Sequence, residues 1–168
     1  MYQPMPGWNE FEIRIPVEAS MGTIYNAWTT SRGLERWFLR KATFKSKQGA
    51  LRLPDEPFEK GDRYHWLWFG YGDDVFEANR VLNANGVDFM RFEFTGKCIV
   101  TVRMESTGNM TLVSLKQDRI PDDPNPSTNL FVNCQLGWTF YLTNLKSVLE
   151  GGRDLRNKDT GLMPVINS

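Results

Sequence analysis

Histidine is almost missing from this sequence, with His65 alone, and cysteine is scarce, with Cys98 and Cys134. A zinc or non-haem iron centre is assembled from clustered His, Cys and carboxylate ligands, and one histidine does not supply such a cluster. The two cysteines fall within apolar patterns and read as reduced core residues, not as a disulfide framework. Net charge is absent too. Twenty basic residues balance twenty acidic ones, so no global field draws nucleic acid or an anionic membrane. No apolar run reaches the roughly 18 residues of a membrane span. Met1 to Asn9 has neither the basic start nor the apolar stretch of a secretory signal. Contiguous catalytic signatures are also lacking: there is no G-x-S-x-G elbow, P-loop or H-E-x-x-H. Gly70-Tyr71-Gly72 lies between strands and so does not open a helix as a dinucleotide fingerprint does. These absences predict a cytoplasmic domain without metal or cofactor, leaning away from catalysis, with no nucleic-acid partner.

Aromatic rings are what the chain has in quantity: six Trp, eleven Phe and five Tyr. Large rings supply much of the burial energy of a small core and also line pockets for apolar ligands. At 168 residues one domain hides roughly 70% of its extended-chain surface, enough for a substantial core.

Periodicity gives the order of elements. Phe11, Ile13, Ile15 and Val17 alternate with polar residues and predict a strand. Ser20 is placed to cap a helix over 21–30, with Ile24, Ala27 and Trp28 as its buried stripe. Thr30 and Ser31 interrupt that pattern before a short helix carrying Leu34, Trp37 and Phe38 inward. A strand follows over 42–47, then an exposed loop over 54–61. Strands are predicted over 63–69, 75–82, 88–94, 97–105 and 110–117, joined by turns such as Asn85-Gly86 and Gly108-Asn109. Consecutive hairpins make an antiparallel meander. After a Pro- and Asp-rich loop, 121–127, a long helix over 128–150 presents Phe131, Cys134, Trp138, Tyr141, Leu142, Leu145 and Leu149 on one face. Gly151 and Gly152 stop it. Beyond Asp154 a polar tail is expected to fray, with Leu162 to Ile166 the stretch able to dock. The fold class is α+β, a curved antiparallel sheet wrapped around a long C-terminal helix, as a single domain over 1–168 with its core at about 9–156.

Several segments resemble one family. Ile15-Pro16-Val17-Glu18-Ala19-Ser20, Ala27-Trp28-Thr29 and Leu34-Glu35-Arg36-Trp37-Phe38 look like the start of the family named for the activator of heat-shock protein 90 ATPase. Gly61-Asp62-Arg63-Tyr64-His65-Trp66, Gly137-Trp138 and the stretch 145–156 continue the match in order. The resemblance implies the helix-grip fold of the START-like (SRPBCC, Bet v 1-like) superfamily, in which a cavity between sheet and final helix takes lipids, hormones or polyketides. It equally implies a chaperone as partner, since the eponymous co-chaperone uses such a domain on a client ATPase. That co-chaperone has a second, N-terminal domain for which this chain shows no counterpart, and direct ATPase activation is therefore not expected.

Within that frame the candidate ligand-binding residues are Tyr64, Trp66, Trp68, Arg91, Trp138, Tyr141 and His65. Tyr64, Trp66 and Trp68 share one face of a strand, and core packing and cavity lining both account for them. The same choice applies to Trp138 and Tyr141. Arg91 and Arg80 interrupt apolar strands and belong either to a solvated face or, pointing inward, to a carboxylate anchor. His65 is either a structural side chain or a group orienting the ligand's polar end. Asp122 and Asp123 read as turn residues. The expectation is a non-catalytic module holding a small apolar or aromatic molecule. The alternatives are a chaperone-associated interaction module, with a homodimer open, or an enzyme on a cyclic or polyketide-like substrate.

Overall fold

The computed structural model describes residues 7–166. A first strand, β1 (Phe11–Val17), leads into α1 (Met21–Thr29) and α2 (Ser31–Trp37). Six strands follow: β2 (Lys41–Lys45), β3 (Arg63–Leu67), β4 (Phe76–Ala84), β5 (Phe89–Phe94), β6 (Cys98–Thr107) and β7 (Met110–Asp118). The chain closes with α3 (Leu130–Leu149). All seven strands form one curved antiparallel sheet in the order β1-β7-β6-β5-β4-β3-β2. The meander read from the turns is therefore complete, and β1 returns to the far edge beside β7.

Local chemistry fixes the helix boundaries. The Ser20 hydroxyl accepts from the Thr23 amide at 3.2 Å, and Thr30 both ends α1 and caps α2 by accepting from Gly33 N at 2.9 Å. That double duty explains the break between the two short helices. The helix expected from 128 begins at Leu130, and Asn129 caps it by accepting from Val132 N. The strand expected to run to Phe69 stops at Leu67, where Arg40 reaches over to the Trp68 carbonyl at 3.2 Å.

The inner face of the sheet carries Phe11 and Val17, Tyr64 and Trp66, Phe92 and Phe94, Val100 and Val102, and Val113 and Leu115, all buried. Against them pack Ile24 and Trp28 of α1, Leu34 and Trp37 of α2, and Trp138, Leu142 and Leu145 of α3. Burying a side chain of this size contributes roughly 1.5–3 kcal/mol each. The loop at 54–61 is less exposed than expected. Its Phe58 inserts beside Phe44, ring centres 5.2 Å apart, and its amide donates to Thr29 O at 2.8 Å.

The exit from α3 does not fray at Asp154. Arg156 is buried and donates to Leu39 O and Glu35 O, each at 2.9 Å, and to Asp154 at 2.8 Å. Asn144, fully buried on α3, donates to Trp37 O at 2.7 Å and accepts from Leu155 N at 2.7 Å. Burial opposes the Asp154 charge, but Arg156, Lys158 and Asn144 outweigh it and hold the carboxyl well below the usual carboxylate range. Further on, Leu162 and Ile166 stay exposed. The last turn of α3 also ties down β1: Lys146 donates to Pro16 O at 2.8 Å, and Glu150 accepts from the Glu18 amide at 2.9 Å.

Candidate functional site

The sheet and α3 separate at one end. A cleft of about 300 Å³ opens there, bounded by Leu130, Cys134, Gly137, Trp138 and Tyr141 of α3, by Phe38 after α2 and Trp68 after β3, and by Glu77, Phe94 and Thr95 of the sheet. It is open on one side, not sealed. Gly96, just past β5, has φ +63, and a Cβ there would meet Leu130 Cδ1 at 2.4 Å. Glycine thus lets the start of α3 settle close to the sheet. Gly137 faces free space, with nothing within 4 Å of where a Cβ would stand.

Aromatic contacts hold the walls. Phe38 stacks on Trp138 at 5.0 Å and meets Tyr141 and Trp68 edge-on at 4.9 and 5.7 Å. Such tilted and offset geometries are the favourable ones for rings. Trp138 is further fixed by its indole N–H, which donates to Gln117 Oε1 at 2.9 Å. Burial pushes the Tyr141 phenol up to about 12 and the Cys134 thiol up to about 11. Both therefore stand neutral at ordinary pH. Cys98 and Cys134 are free thiols, the first in the core and the second on the cleft wall.

Of the residues expected at a ligand site, the structure brings Trp68, Trp138 and Tyr141 together around the cleft. Tyr64 and Trp66 point to the same side of the sheet but are buried, at 3% and 1% exposure, stacked on each other at 3.9 Å. The Tyr64 hydroxyl donates to Glu93 O. His65 and Arg91 lie on the outer face. His65 is exposed and stacks on Phe76 at 4.8 Å. Arg91 lines an outer hollow with Glu12, Thr101, Arg103 and Lys116. Arg80, also outward, pairs with Glu93 at 2.9 Å. Strand alternation is the cause. Once Tyr64 and Trp66 face in, His65 must face out, and with Phe92 inward the same holds for Arg91. Asp123 serves its turn, accepting from Thr128 Oγ1 and Asn125 N. Among the described residues no group of three or more His, Cys, Asp or Glu side chains converges as metal ligands would.

Glu77 escaped the reading of the sequence. It sits opposite Trp66 in the β3–β4 ladder and turns into the cleft, where Asn79 Nδ2 donates to it. Burial raises its pKa, with Asn79 and Thr95 partly opposing the shift. The only signal available was a charged residue within a ring-rich strand pair, and that alone does not tell inward from outward.

Among curated proteins no sequence matches significantly. Solved structures match along most of this chain at low identity. The Aha1 dimer from Colwellia psychrerythraea aligns with TM-score 0.66 and 19% identity over 86% of this chain and 98% of that one. An HSP90 activator from Plasmodium falciparum aligns with TM-score 0.60 and 18% identity over 84% and 96%. DynU16, of the dynemicin biosynthetic locus, aligns with TM-score 0.65 and 19% identity over 89% of this chain but 50% of its own. At these identities the likeness is one of fold. The family model described as activator of Hsp90 ATPase homolog 1-like protein matches residues 18–150, and the chain belongs to that family.

Proposed function

We propose that this protein is a binding module that takes a small apolar or aromatic molecule into the cleft between sheet and α3. The observation that carries the reading is the cleft itself: Trp68, Trp138 and Tyr141 line an open space that their own packing does not fill. Its size falls at the lower end of small-molecule sites, roughly 300–1,000 Å³. Tyr64 and Trp66 form the layer that fixes the cleft wall from behind. The outer-face residues His65 and Arg91 contact no ligand held there. With both cysteines free, a reducing cytoplasmic setting suits the molecule.

Gly137 provides the test. Gly137→Leu projects a side chain into the free space while removing a helix-disfavouring glycine, a gain of roughly 0.5–1 kcal/mol in helix propensity. The neutral fluorescent probe N-phenyl-1-naphthylamine is expected to bind the native protein saturably at one site and to quench tryptophan emission. The leucine variant is expected to lose that binding with its melting temperature kept or raised. Equal binding by both proteins would place the probe elsewhere and remove the proposal.

Family membership favours a second reading, an interaction module for a chaperone ATPase, self-associated or not. Its test is stimulation of purified heat-shock protein 90 ATPase by the full chain at saturation. Stimulation that persists in Gly137→Leu would assign the role to the outer surface and not to the cleft.

A further inference from the structure

The cleft holds one formal acid and no base: no lysine, arginine or histidine is among its lining residues. Two carboxylates elsewhere in this molecule have cations. Asp62 receives Arg52 at 2.7 Å, and Asp154 receives Arg156 at 2.8 Å. Glu77 has only neutral company, an amide donor from Asn79 and the Thr95 side chain, and no ion-pair partner among the described residues. A role in folding does not require its charge. Glutamine in its place would accept from Asn79 equally well and would avoid desolvating a carboxylate.

The same cleft is lined by the rings of Phe38, Trp68, Phe94, Trp138 and Tyr141. Aromatic faces carry the negative end of the ring quadrupole and attract cations, most strongly where water is excluded. An unpaired carboxylate in a ring-lined cleft is complementary to one kind of guest, a positive charge set in apolar surroundings. We infer that the cleft selects an organic ammonium ion carried on an aromatic or apolar body, with Glu77 as its counter-charge and Trp68, Trp138 and Tyr141 as its walls. This rests on the ligand-binding reading and names the ligand's chemistry. The competing chemistry, a protonated Glu77 donating to a neutral carbonyl compound, makes no use of positive charge and is separated by the same experiment.

Two probes of the same shape isolate the charge: benzyltrimethylammonium and its carbon analogue neopentylbenzene. Titration of the native protein, read by tryptophan fluorescence and calorimetry, is expected to show at least tenfold tighter binding of the ammonium probe. Glu77→Gln is expected to bring the ratio near or below one, with an unchanged circular dichroism spectrum. Trp68→Leu, which keeps apolar contact but removes a π face, is expected to reduce ammonium binding several-fold and to affect the carbon analogue less. Equal affinities in the native protein, a ratio unchanged in Glu77→Gln, or failure to take the ammonium probe overturns the inference. If N-phenyl-1-naphthylamine still binds in a Gly137-dependent manner, the general ligand-binding reading survives that failure. If it does not, both fall.

Discussion

The two halves of α3 do different work on the same sheet. Toward the C-terminus, Leu142, Asn144 and Leu145 are at 1% exposure or less, and the helix is locked by hydrogen bonds to Trp37, Leu155 and β1. Toward the N-terminus, Phe131, Cys134 and Tyr141 are only partly buried, and the helix stands off the sheet over open space. Both halves are ring-rich, so composition does not separate them. The difference lies in how neighbouring layers close. Against the second half, α2 presents its Trp37 carbonyl to Asn144 at 2.7 Å. Along the first, Trp28 of α1 reaches Trp138, ring centres 5.9 Å apart, and the turns before it face the cleft. Packing is thus tightest where α2 supports α3, and the cleft lies along the other half.

Mutations can break that division. The largest expected effect is Trp37→Ala, which empties a fully buried site and costs about 3–5 kcal/mol. Trp68→Ala, at the open end, should cost only about 1 kcal/mol by chemical denaturation. Similar losses for the two would mean that the halves share the load. Asn144→Ala removes the donor to the Trp37 carbonyl and the acceptor of the Leu155 amide, and a loss of about 2–3 kcal/mol is expected. A loss below about 0.5 kcal/mol would show the α3–α2 lock to be incidental. The smallest effect concerns Glu77. Its folded-state pKa is raised, so its favourable contribution is complete below its unfolded pKa and is lost as pH rises through the folded one. Glu77→Gln should therefore match the native protein in acid and exceed it by about 0.5–1 kcal/mol at neutral pH. The melting-temperature difference between the two, followed from pH 3 to pH 8, checks the sign, and a gap that closes toward neutral pH would contradict it.

Much of the fold was legible because hairpin turns and helix caps act locally. Ser20 and the Asn85-Gly86 turn sit where their chemistry predicts, and the broad apolar face of α3 found the sheet. The site was harder to read. On β4 the apolar set Phe76, Ala78 and Leu82 suggests an inner face, yet Phe76 is 52% exposed while Glu77 and Val81 point in. The strand is reversed relative to its hydrophobic pattern, and a register shift between Val81 and Asn83 accompanies it. A strand that turns its acid inward and its ring outward follows no rule of burial. Trp68, Trp138 and Tyr141 were visible as rings, but whether rings pack or line a space depends on the separation of layers, which periodicity does not encode. Arg156 was hidden for a similar reason, since its acceptors, Leu39 and Glu35, lie more than a hundred residues earlier.

The tie between the last turn of α3 and β1 has a consequence for how this protein meets others. Open strand edges invite pairing with foreign strands. At β1 the Pro16 carbonyl and Glu18 amide are already occupied by Lys146 and Glu150, and proline itself offers no donor. The opposite edge, β2, is five residues long with a lysine at each end. Strand pairing by a second copy or client polypeptide is thereby confined at β1 to the stretch before Pro16, and at β2 to a short edge flanked by lysines.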